Sequence, residues 1–181
     1  MKKVSNLLAA AALAAAIFFG SSAKAQTTTT RTTTDPSPWR LGFGIEGGIP
    51  TGGINDFSKF ELGGTARLQY DLTKSVDLTL TSGYYSFTAD QAAKDANNTA
   101  LGVIPVKVGA KFFFAQNIYF GAEAGAGFET NTQSKNTKLI LSPGLGWADE
   151  HWDVGVRYEN LSGQGDSFGT VALRLAYGFD L

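Results

Sequence analysis

The only histidine, His151, is the first residue to weigh as a catalyst, because imidazole changes charge near neutral pH. It stands among Asp149, Glu150 and Trp152 in a short connection between two apolar-rich segments, where a solvated turn residue is the simpler reading. Activating a nucleophile needs a histidine placed with a serine or carboxylate. Neither a G-x-S-x-G elbow nor an H-E-x-x-H pair is present. Asp56, Asp90, Asp95 and Asp166 are too scattered for the clustered oxygens of a calcium site, and without cysteine there is no thiolate metal site. Gly42-Phe43-Gly44-Ile45-Glu46-Gly47 approximates a nucleotide-binding glycine pattern, but it lies within a β-type segment with no helix after it. The sequence therefore predicts no catalytic residue, no cofactor and no metal.

The remaining chemistry is ionic. Glu46, Arg67, Lys107, Lys111, Glu123, Arg157, Glu159 and Arg174 all lie inside segments that alternate apolar and polar residues. Side chains along a strand point to opposite faces with period two, so these eight share a face with Arg40, Glu61, Asp71, Asp77, Glu129, Lys138, Asp153 and Asp180. Taken out of bulk water, so many charges must pair. Counting depth from one end of each strand predicts Glu46 near Arg67 and Arg174, Glu123 near Lys107 and Lys111, and Glu159 near Arg174.

Eight such segments must position these residues: Trp39 to Pro50, Phe60 to Leu72, Val76 to Phe87, Leu101 to Phe114, Ile118 to Glu129, Thr137 to Ala148, Trp152 to Leu161 and Phe168 to Leu181. Each is long enough to cross a bilayer as a tilted strand. The connections Thr51 to Lys59, Thr88 to Ala100, Thr130 to Asn136 and Ser162 to Ser167 are longer than the three between them, which puts long loops on one rim and tight turns on the other. The fold expected is all-β, an eight-stranded antiparallel up-and-down transmembrane β-barrel over residues 39–181.

The uncharged parity holds Phe43, Ile45, Leu62, Leu80, Val108, Leu145, Val156 and Leu173. Glycine concentrates on the charged parity, as a crowded narrow lumen requires, and this points the apolar face outward to lipid. Trp39, Trp147 and Trp152 all fall at turn-side strand ends and, with Tyr177 and Phe179, make an interfacial aromatic girdle. Pro105 and Pro143 lie inside strands, where a bulge or a local gap must absorb the missing N–H donor. Tyr85 and Phe87, at the base of the longest loop, are expected to cap the lumen.

Lys2 and Lys3, the apolar run Leu7 to Phe19 and the small-x-small Ala23-Lys24-Ala25 read as a cleaved signal peptide over 1–25. Residues 26–38 (QTTTTRTTTDPSP) read as a disordered periplasmic leader. The formal net charge of −1 offers no basic surface for nucleic acid. Export and a barrel together predict the outer membrane of a Gram-negative cell, with lipid as the main partner and a monomer as the state.

Tyr177, Phe179 and Leu181, at the fifth-last, third-last and last positions, resemble the C-terminal signal recognised by the outer-membrane assembly machinery, although the usual terminal residue is phenylalanine. Ile104 to Phe112 (IPVKVGAKF), Tyr119 to Phe128 (YFGAEAGAGF) and Leu141 to Ser162 look like the outer-membrane β-barrel domain family common in Bacteroidetes, often labelled porin-like. The resemblance spans nearly all of 39–181 and implies architecture rather than an activity. Because eight strands enclose an interior just wide enough for side chains, the function expected is a structural or surface-interaction barrel with a filled lumen. A narrow pore, a soluble lipocalin-like binding barrel and a lipid-modifying enzyme are the alternatives.

Overall fold

A computed structural model describes residues 37–53, 58–89, 101–130, 136–163 and 165–181. The signal-peptide reading of 1–25 and most of the leader lie outside them. Eight strands follow in order: β1 (Trp39–Gly52), β2 (Ser58–Thr73), β3 (Val76–Ala89), β4 (Leu101–Ala115), β5 (Ile118–Thr130), β6 (Thr137–Ala148), β7 (Trp152–Gly163) and β8 (Asp166–Asp180). Each pairs antiparallel with its sequence neighbours, and β8 pairs with β1 from Arg40–Asp180 to Gly52–Phe168, which closes the barrel. Closure leaves no strand edge with unpaired backbone groups, the condition for crossing a bilayer in β structure.

The parity read from the sequence is the parity of the wall. Phe43, Ile45, Leu62, Val108, Leu145, Val156 and Leu173 are each more than half exposed on the outer surface, whereas Glu46, Arg67, Lys107, Glu159 and Arg174 are buried inside. This inverts a soluble lipocalin-like barrel, whose apolar face turns inward, and sets that alternative aside.

Tight turns at Lys74–Ser75, Gln116–Asn117 and 149–151 form one rim. Asn117 takes a left-handed conformation (φ 64°), which asparagine tolerates, next to a register shift between Phe113 and Ala115. On the opposite rim one expectation needs correcting. β7 and β8 extend to a Gly163–Asp166 pair, so only residues 164 and 165 connect them, with Gly165 at φ 93°; the Ser162 to Ser167 segment is a tight hairpin rather than a long loop.

Pro105 and Pro143 leave gaps, not bulges. The β6–β7 ladder runs through Leu141–Asn160 and resumes in the same register at Gly144–Arg157, omitting Ser142 and Pro143. Around Pro105 the β3–β4 ladder likewise skips from Tyr85–Val103 to Ser82–Val106. Each proline still pairs on its β5 side, Pro105 with Gly127 and Pro143 with Ala122, so the missing donor costs one seam only.

Candidate functional site: the ionic lumen

Register explains why glycine shares the lumen parity. Glu46 lies opposite Gly63, Arg67 opposite Gly42, Lys107 opposite Gly125, Lys111 opposite Gly121, Glu123 opposite Gly109, Arg157 opposite Gly144 and Arg174 opposite Gly155. Of the eight charged residues singled out from sequence, only Glu159 has no glycine as a register partner; Thr170 lies opposite it. The space is used: a Cβ at Gly109 would sit 2.7 Å from Glu123 Cγ, and one at Gly144 would sit 2.8 Å from Arg157 Cβ. Glu123 and Arg157 thus pass over neighbours that have no side chain.

The charges form two connected groups. Nearer the turn rim, Asp153 Oδ2 is shared by Lys111 Nζ at 2.7 Å, Arg67 Nη1 at 3.2 Å and Arg174 Nη1 at 3.2 Å, while Asp153 Oδ1 accepts from the Tyr119 hydroxyl at 2.6 Å. Lys111 also donates to Gln69 Oε1 at 2.9 Å, and Gln69 Nε2 donates to Asp77 at 2.9 Å. At mid-depth, Glu123 Oε1 accepts from Arg67 Nη2 at 3.0 Å and from Thr81 Oγ1 at 2.7 Å, and Lys107 approaches Glu123 Oε2 at 3.4 Å. Lys107 and Arg157 both pair with Glu159, and both donate to the Tyr85 hydroxyl, at 2.9 and 2.8 Å. Glu46 pairs with Arg157 and, at 3.3 Å, with Arg174. Arg67 and Arg174 join the two groups.

All eight residues therefore lie in one network. Glu46–Arg174 and Glu123–Lys107 pair as the strand depths suggested; Glu46–Arg67, Glu123–Lys111 and Glu159–Arg174 do not. Arg67 turns to Glu123 and Asp153, and Lys111 turns to Asp153. Asp153 is the residue that depth counting missed. It lies only one residue into β7, yet arginine and lysine stems are long enough to bend down to it from three other strands.

Above this network, toward the loop rim, the lumen holds an apolar cluster. Tyr85, Phe87, Val103, Ile140, Leu161 and Phe168 form a buried cluster, with Phe87 and Phe168 edge to face at 5.6 Å and Lys138 Nζ 5.5 Å from the Phe168 ring centroid. Among the ions, a cavity of about 40 Å³ bordered by Arg67, Lys111, Glu123 and Arg174 has room for water molecules and no more.

At the turn rim Trp39, Trp147, Trp152 and Phe179 are 41–52% exposed on the outer wall, and Tyr177 lies between Trp152 (5.1 Å between centroids) and Phe179 (4.9 Å). Leu181, 61% exposed, donates its N–H to the Trp39 carbonyl at 3.1 Å. His151 is exposed, with its ring beside Tyr177 at 5.5 Å. Its contribution is through the backbone: its N–H donates to Asp149 Oδ1 at 2.8 Å and its carbonyl accepts from Gly178 at 2.7 Å. Slight burial acts against the Asp149 charge, but the N–H groups of Trp152 and His151 outweigh it and hold the carboxyl below its usual range.

No protein-family model matches the chain, and no curated protein sequence does. Solved structures do. The attachment invasion locus protein Ail of Yersinia pestis aligns at 13% identity over 79% of this chain and 99% of its own, with a TM-score of 0.57. Neisserial surface protein A aligns at 13% identity over 80% and 98%, with a TM-score of 0.56. The N-terminal β-barrel domain of Pseudomonas aeruginosa OprF aligns at 14% over 77% and 97%, with a TM-score of 0.54. The fold is that of the small eight-stranded outer-membrane β-barrels.

Proposed function

We propose that this protein is a closed structural barrel of the outer membrane, non-catalytic and monomeric, whose lumen is plugged by its own side chains and whose loop rim faces the outside of the cell. The observation that carries this reading is the pairing of side chains from opposite parts of the wall. Arg67 on β2 reaches Glu123 on β5, Lys107 on β4 reaches Glu159 on β7, and Arg157 on β7 reaches Glu46 on β1. These contacts, with the buried apolar cluster above them, support a lumen filled by side chains. The outward apolar belt and the aromatic girdle support a lipid setting.

The export signal read over 1–25, the leader over 26–38 and the Tyr177, Phe179, Leu181 terminus support secretion and assembly into that membrane. Among the barrels of like fold, one is named as an attachment protein and another as a surface protein, which supports a contact role for the loop rim. Planar-bilayer recording of protein purified from outer membranes tests the plug. No stable conductance is expected; large, stable channels that Glu46→Gln leaves unchanged would overturn it. Fractionation tests the location, with a heat-modifiable band expected in the outer membrane and a soluble periplasmic monomer as the contrary result.

A further inference from the structure

Glu61, on β2, is 1% exposed, and neither of its carboxylate oxygens has a hydrogen-bond partner. Among the described residues it forms no ion pair either. Two more orphan oxygens lie nearby. Thr170 Oγ1, on β8, is unpartnered and its residue is 0% exposed; Thr170 is the register partner of Glu159, whose Oε2 is also unpartnered. Gly48 links the two sides. It lies opposite Glu61 on β2 and Ala172 on β8, and a Cβ built there would be 3.2 Å from Glu61 Oε2 and pressed against the Thr170 methyl.

Lys107 and Arg157, the cations paired with Glu159, are also engaged by Glu123 and Glu46 rather than by Glu61. Glu61 also lies opposite Phe87, at the level of the apolar cluster, where an uncompensated carboxylate is hardest to keep charged. We propose that Glu61, Glu159 and Thr170 hold one monovalent alkali cation, sodium or potassium, inside the lumen just beneath the loop rim. The donor set is all oxygen, which suits a hard cation. The nearby Lys107 and Arg157 disfavour a divalent ion.

The test uses full-length protein extracted from outer membranes into detergent. Thermal unfolding, followed by loss of the compact unboiled band, is compared in sodium chloride and in choline chloride at one ionic strength, choline being too large to enter. The wild-type Tm should rise with sodium and saturate. Glu61→Gln should abolish the response, and Thr170→Val should raise the half-saturating sodium concentration several-fold while retaining the fold. A wild-type Tm identical in sodium and choline overturns the proposal and assigns a proton to Glu61 instead. A sodium response that persists in Glu61→Gln also overturns it. The wild-type and Thr170→Val curves decide the matter even if Glu61→Gln does not fold, and neither depends on whether the barrel conducts.

Discussion

Arg67 on β2 and Glu123 on β5 meet across the lumen, Nη2 to Oε1 at 3.0 Å, with β3 and β4 between them in the wall. Thr81 orients the pair: its hydroxyl accepts from Arg67 Nε at 2.9 Å and donates to Glu123 at 2.7 Å. The contact ties together strands that share no backbone ladder, so it contributes to barrel stability in a way local hairpin formation does not.

Removing one partner leaves buried charge uncompensated. Glu123→Leu is expected to destabilise the barrel by about 3–5 kcal/mol, because Arg67 and Lys107 both lose a counter-charge. The double variant Arg67→Met/Glu123→Leu should recover much of that loss, since an apolar pair of similar volume avoids the desolvation cost. Urea unfolding in lipid vesicles, followed by tryptophan fluorescence, measures both.

The outward belt makes an opposite prediction for a new charge. Leu173 is 56% exposed near the middle of β8 on the outer wall. Leu173→Arg should cost roughly 2–4 kcal/mol when the barrel folds into vesicles, as expected for arginine at the bilayer midplane. A change within about 0.5 kcal/mol, the usual range for a surface substitution in water, would mean that this face does not meet lipid.

Lumen glycines should resist even small additions. At Gly109 a Cβ would meet Glu123 Cα at 2.8 Å as well as its Cγ, so backbone as well as side chain must move. Gly109→Ala is expected to cost about 1–3 kcal/mol. Gly64 faces outward with nothing near its Cβ position, and Gly64→Ala is the control that should fold as wild type. Comparing the urea midpoints of the two variants checks this.

The apolar cluster and the ionic group close the lumen independently. Phe87, fully buried, should cost about 3–5 kcal/mol when changed to alanine. Bilayer recordings of Phe87→Ala should nevertheless show no more conductance than wild type, because the Lys107, Glu159 and Arg157 contacts beneath it remain.

The turn at Asp149 supplies a small pH dependence. Its carboxyl is held below its ordinary value in the folded state, so its contribution to stability is present above the unfolded pKa and is lost as pH falls through the folded one. Asp149→Asn should remove that part of the acid dependence below about pH 4 and, at pH 7, lose the small contribution of the ionised carboxylate. Unfolding midpoints of the two proteins between pH 7 and pH 2.5 show whether it does.

Strand number, parity and the choice of outward face were legible in the sequence, because each depends on local quantities: the two-residue repeat of side-chain direction, the placement of glycine and the positions of Trp39, Trp147 and Trp152. The short hairpin between Gly163 and Asp166 was not, since Ser162 and Ser167 read as loop until pairing across the barrel extends both strands. The eight lumen charges could be named individually, but their partners could not. Partner choice depends on the relative stagger of strands distant in sequence and on how far flexible stems bend along the lumen axis. That is how Asp153, at the start of β7, collects Arg67, Lys111 and Arg174 while Glu61 forms no ion pair among the described residues. The sequence by itself determined a barrel with its charges inside; only the closed tertiary structure, by fixing depth and distance across the lumen, decided which charges meet.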